Sequence, residues 1–207
     1  MLIIMRNILI LLTLCLSIKS FAQIREPQRI VPQSVVHISY DYQIGDYIKD
    51  TENKLDQYVG TWEYNDGSGN IFTLKLQRVN QFLNDLGGNR YSFSDEIIIS
   101  YKLIKNNILI INKLNDIIPL EVPSSDDLLG FGFVNNFHSY DNLEGFLGDE
   151  TYNIIANCEI IKLYTPVGQP EKIMFKLTKP FKRNDPSFYQ GLSETYSVPN
   201  NVELTKL

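Results

Sequence analysis

Sulfur and imidazole are scarce in this chain. Its 207 residues hold two cysteines, Cys15 and Cys158, and two histidines, His37 and His138. That is too little thiol for a disulfide framework, and no H-x-x-x-H pair or second cysteine cluster makes a zinc pattern. No G-x-S-x-G elbow marks a serine nucleophile. A Ser–His–Asp set assembled in space is therefore the last of three functional readings, and no catalytic residue is assigned. The acids Asp126, Asp127, Asp141, Glu144, Asp149 and Glu150 crowd one stretch without the D-x-D-x-D-G spacing of a calcium loop. Neither metal nor cofactor is expected. Repeats, low-complexity tracts and a dividing linker are also lacking.

Long apolar runs are confined to the start. Arg6 precedes an apolar stretch from Ile8 to Ile18, and Ser20-Phe21-Ala22 places small residues where a signal peptidase cuts. The run is too short for a membrane span. Leu14 stands where a lipoprotein signal has a small residue, so Cys15 is read as part of the leader. Residues 1–22 are thus a signal peptide, and the exported chain, periplasmic or extracellular, starts at Gln23 with no transmembrane segment. Processing removes Arg6 and Lys19 and no acid. Seventeen basic residues then face 24 acidic ones, a net charge of −7. Such a surface has no broad attraction for nucleic acid. Cys158 is left without a partner, and a buried inert thiol is the simplest reading of it.

What is present is period-two patterning. Residues 23–50 read as an extended arm, with Val36, Ile38 and Tyr40 alternating against His37 and Ser39. Asp50 or Thr51 looks like a helix N-cap, Leu55, Tyr58 and Val59 share a face, and Gly60 ends the short helix. Residues 51–207 then form a single domain. "TWEYN" and "IFTLKLQRV" flank a Gly-rich turn, and "DEIIISYKLI" and "ILIINKL" flank Asn106-Asn107. Residues 115–150 read as a long connection carrying one short strand near Phe131 to Phe133. "YNIIANCEIIKLY", "EKIMFKLTK" and a closing strand from Asn201 to Thr205 complete an antiparallel meander of about eight to ten strands. It is closed into a barrel or, alternatively, packed as a β-sandwich.

Gly60-Thr61-Trp62, placed after a short helical turn and at the head of the first long strand, resembles the G-x-W start of lipocalin-like (calycin) barrels. The chain also resembles a family of small, uncharacterised secreted proteins from Bacteroidota. The residues that carry this are Phe21-Ala22-Gln23, Tyr58 to Tyr64 and Val202 to Lys206, in a composition with Ala22 and Ala156 as its two alanines. The barrel resemblance implies that Trp62 closes the barrel floor, with Gly60 beside it. It also implies a basic residue from a late strand stacked on the indole, for which Lys206 and Arg183 are the candidates.

The leading functional expectation is a non-enzymatic, lipocalin-like domain that binds a small apolar or amphipathic ligand. Tyr64, Phe72, Tyr101, Phe131 and Phe133 are its candidate lining residues. The alternative is a protein-interaction or structural module that meets an envelope protein partner through the loop 115–150, with Phe131, Phe133 and Phe137 exposed. Either way Trp62 is structural. Replacing it with Ala should cost about 3–5 kcal/mol of stability, read as a shift in the urea midpoint followed by far-ultraviolet circular dichroism.

Overall fold

A computed structural model describes residues 25–36, 41, 43–87, 89–116, 131–135, 142–152, 154–182 and 196–207. Strands β1 (Arg29–Pro32) and β2 (Asp46–Lys49) come first, followed by a 3-10 turn, Lys54–Gln57. The long alternating runs then become β3 (Gly60–Asn65), β4 (Ile71–Gly87), β5 (Arg90–Lys105) and β6 (Ile108–Asn112). Next are β7 (Phe131–Asn135), β8 (Asn142–Asp149), β9 (Ile154–Leu163), β10 (Lys172–Lys182) and β11 (Val202–Lys206).

Eight of these form a closed ring. From β3 the ladder runs through β4, β5, β7, β8, β9, β10 and β11 and returns to β3, antiparallel at each step. The fold is therefore mainly β, a lipocalin-like antiparallel barrel, and not a sandwich. One edge of β5 serves three partners in succession: β2 at Phe93 and Ser94, β7 from Ile97 to Ser100, and β6 from Lys102 to Lys105.

Three details differ from the sequence expectation. The stretch 115–150 carries two strands, because β8 pairs with both β7 and β9. Its sequence, NLEGFLGD, hides the alternation behind two glycines and two acids. The helix is a single 3-10 turn whose N-cap is Asn53 in a left-handed conformation. Asp50 still does the capping work, since its carboxylate accepts hydrogen bonds from the backbone of Lys54 and Leu55. The last strand begins at Val202, one residue later than expected. The alternating run at 37–40 lies outside the described residues.

Alternate residues of the eight strands point inward and fill the barrel. In the ladders Leu74 stands between Trp62 and Tyr101, and Cys158 between Gly145 and Leu177. The Phe72 ring packs at 5.3 Å from that of Phe175 and 5.9 Å from that of Tyr101, both tilted. Trp62, Phe72, Tyr101 and Phe175 are all fully buried. Each such aromatic removes about 150–250 Å² from water, which is how a domain without disulfides is stabilised.

The two ends are closed by different means. At the Gly60 end, Leu55 and Tyr58 of the 3-10 turn cover the barrel and are buried in its core. At the opposite end the segment before β11 crosses over, with Val198 in the core and Ser197 anchored on Asp149. That carboxylate is fully buried and accepts hydrogen bonds from the Ser197 backbone N–H and hydroxyl, each at 2.5 Å. It also accepts from the backbone of Thr151 and Tyr152. Among the described residues four donors and no cation satisfy it.

Asn at position 149 would turn an amide NH₂ toward backbone donors. Asp149→Asn should therefore destabilise by about 1–3 kcal/mol, and hydrogen exchange should rise first at Ser197 and Thr151.

Candidate functional site

The closed end is organised around Trp62. Its indole N–H donates to the Tyr58 carbonyl at 2.8 Å, which ties the strand to the 3-10 turn before it. Two ammonium groups stand over its ring, Lys162 Nζ at 4.8 Å and Lys206 Nζ at 5.3 Å from the centroid. Lys206 is one of the two candidates for that place; Arg183 lies outside the described residues. Lys162 comes from β9 and also donates to the Gln57 carbonyl at 3.0 Å. Both lysines pair with Glu171, at 3.1 Å and 2.6 Å. Gly60 explains itself here. Its φ is +142°, and a Cβ would come within 3.0 Å of Lys206 Cε, so the glycine leaves room for the lysine stem.

Beyond the closed end, β4 and β5 run on as a two-stranded ribbon, extended by β2 and then β1 in parallel register. On β4, Asn80 and Gln81 together stand opposite Asp95, because the ladder passes from Val79–Glu96 to Phe82–Ser94. This is a β-bulge, and Gln81 takes a left-handed φ of +55° within it. Asp95 is fully buried and holds the bulge in place. It accepts from the Gln81 backbone, the Tyr47 hydroxyl at 2.6 Å, the Asp50 backbone and Arg78.

Arg78 is the hub of the ribbon. Its guanidinium reaches Asp95 at 3.1 Å, Asp56 at 2.6 Å and Asp50 at 3.6 Å, while its Nε donates to Asn80. Burial works against its charge, but the hydrogen bonds and charges of Asp56 and Asp95 outweigh it and hold Arg78 above the ordinary arginine value. Burial, joined by the Asp95 carboxylate, pushes the Tyr47 phenol far above its usual range, so it remains a donor. Arg29 grips buried Asp46 through Nε and Nη2, both at 2.8 Å.

Between these groups lies an open groove of about 540 Å³. It is lined by Pro27 to Ile30, by Tyr47 and Lys49 of β2, and by Arg78, Asn80 and Gln81 of β4. Its charged lining groups, Arg29, Lys49 and Arg78, are all cationic. Among the described residues no group of three His, Cys, Asp or Glu side chains is placed to hold a metal ion. No described helix is long and apolar enough to cross a membrane.

The residues chosen from sequence stand elsewhere. Phe72 and Tyr101 are core residues in contact with each other, and the Tyr101 hydroxyl donates to the Gly148 carbonyl at 3.2 Å. Tyr64 is half-buried against the same core. Phe131 is half-buried on the outer side, 5.9 Å from Lys113 Nζ. Phe133 stands opposite Ile98 and Phe146 in the ladders, and its side chain lies outside the described residues, as do Phe137 and both histidines. Cys158 is buried inside the barrel, and burial pushes its thiol far above the ordinary range. Sequence reasoning passed over Lys162, Arg78, Asp95 and Gln81. Of these, Arg78-Val79-Asn80-Gln81 did carry a signal, since it breaks the alternation of β4 with consecutive polar residues.

The hydrogen bond from Lys206, supported by Lys162, holds the Glu171 carboxyl below the usual carboxylate range. The unfolded chain therefore binds the proton first as pH falls. This contribution is complete above the unfolded value of about 4.3 and disappears as pH drops through the folded one. Glu171→Gln should flatten the loss of stability below about pH 4, measured as urea midpoints from pH 3 to 7 for both proteins. No curated protein and no solved structure matches the chain. The sequence profile of a family of unknown function (DUF6705) matches residues 5–207, so this barrel with its charged ribbon belongs to that family.

Proposed function

We propose that the protein is a non-enzymatic binding module, exported from the cytoplasm, that takes a small amphipathic ligand in the groove beside β1 and β2. The groove itself supports this reading. Its volume of about 540 Å³ falls within the range of small-molecule sites, and it offers apolar, aromatic and cationic groups together. The described barrel interior is instead occupied by Trp62, Phe72, Tyr101 and Phe175. In this reading the barrel is the rigid body on which the groove is carried, and the ligand sits outside its lumen.

A second reading rests on β6. Ile108, Leu109 and Ile110 are 64%, 56% and 46% exposed on a strand that pairs with β5 alone among the described strands. An open edge of this kind suits an envelope protein that adds a strand.

Native mass spectrometry of the protein, purified without detergent from its own cell envelope, separates the two. The expected result is an adduct of a few hundred daltons, lost on denaturation. A clean mass with no adduct overturns the ligand reading and favours the β6 edge.

A further inference from the structure

We infer that the groove selects an amphipathic organic acid, its carboxylate held on Lys49 and its apolar part against Pro27 and Ile30. The inference rests on the reading above that this groove is the ligand site. It follows from which charges in the ribbon are already satisfied. Asp46, Asp50 and Asp95 are 0%, 2% and 0% exposed, so they underlie the ribbon and do not face the groove. Each is satisfied by hydrogen bonds or ion pairing where it lies. Asp46 takes Arg29 and the Gln43 backbone, Asp50 takes two backbone donors and Arg78, and Asp95 takes the Tyr47 hydroxyl, two backbone donors and Arg78.

The cations of the groove are not equivalent. Arg29 is committed to Asp46, and Arg78 to Asn80, Asp56 and Asp95. Lys49 lines the same groove, is exposed, and has no carboxylate partner among the described residues. An ammonium on a wall with no competing acid is a ready partner for a carboxylate, and the contact is of the charge-assisted kind. Hydrophobic matter is at hand as well, since Ile30 is 60% exposed beside Pro27.

A second observation points to the same place. Gln81 keeps a left-handed φ of +55°, a conformation disfavoured for any residue but glycine and tolerated chiefly by Asn and Asp. The bulge that imposes it is fixed from below by Asp95, and it leaves the exposed Gln81 as part of the groove wall. Glycine would relieve the strain and remove the carboxamide. Strain retained in a residue that lines a groove points to a use for it there. The Gln81 carboxamide supplies a second donor to the acid.

The test uses octanoate and 1-octanol as probes, titrated calorimetrically into the purified protein. Octanoate is expected to bind at one site, about tenfold more tightly than octanol, and to weaken as salt rises. Lys49→Gln should lose about tenfold in octanoate affinity and leave octanol unchanged. Gln81→Gly should weaken octanoate while its Tm stays level or rises, which separates a role in binding from a role in folding. Equal affinity for the two probes, or unaltered octanoate binding in Lys49→Gln, overturns the inference. If an envelope-derived adduct is found but octanoate does not bind, the organic-acid assignment falls and the ligand-binding reading stands. If neither probe binds and no adduct is found, both fall.

Discussion

The barrel exists because its first and last strands meet at Trp62. The seam between β3 and β11 is short, with Glu63 opposite Thr205 and Trp62 opposite Lys206. So brief a ladder would fray by itself. What holds it is the stack above the indole, where Lys206 crosses the ring, Lys162 joins it from β9, and Glu171 binds both ammonium groups. The indole N–H and Lys162 also reach carbonyls at the end of the 3-10 turn. One side chain thus joins the turn, the seam and the β9–β10 hairpin. The individual ion pairs are partly exposed and contribute little alone. Their value is geometric, because they fix which strand closes on which.

The ribbon obeys a different rule. It has little apolar core, with Val31, Val36 and Ile48 in one small cluster and Val79, Phe82 and Ile98 in another. Its order comes from buried charge. A guanidinium facing two buried carboxylates, Asp50 and Asp95, is costly to assemble and costlier to break, since removing Arg78 would leave Asp95 buried without its cation. Such a network fixes one arrangement of β2, the turn and the bulge. That fixed arrangement also determines the shape of the groove.

How much of this was legible in the sequence depends on the distance over which each feature is encoded. Strands β3, β4, β5, β9 and β10 announce themselves because alternation is local, and Gly60-Thr61-Trp62 marks the closed end within three residues. Strand β8 escaped notice because Gly145, Gly148 and its acids interrupt the apolar period, while its pairing is decided by neighbours on both sides. Of the groove only the polar break from Arg78 to Gln81 showed in the sequence. Lys49 comes from β2 and Arg78 and Gln81 from β4, and their meeting depends on a bulge that the partner residue Asp95 on β5 holds in place. Tyr64, Phe72 and Tyr101 looked like lining because an inward aromatic reads the same whether it faces a ligand or another ring. In the folded chain Phe72 faces Tyr101 and Phe175.

The meeting of β3 with β11 also dictates an order of events. Hairpins β3–β4, β4–β5, β8–β9 and β9–β10 join segments close in the chain and can form as soon as they are made. The seam cannot. Trp62 must wait for Lys206, and closing a loop of roughly 140 residues carries an entropy cost of about 4 kcal/mol by the chain-length law. Until the C-terminus arrives, the sheet is an open, curled surface with two bare edges and its aromatic face accessible. A chain interrupted just before β11 would therefore keep its other strands and lack the closed barrel, and the length of the loop makes closure of the ring a late event in folding.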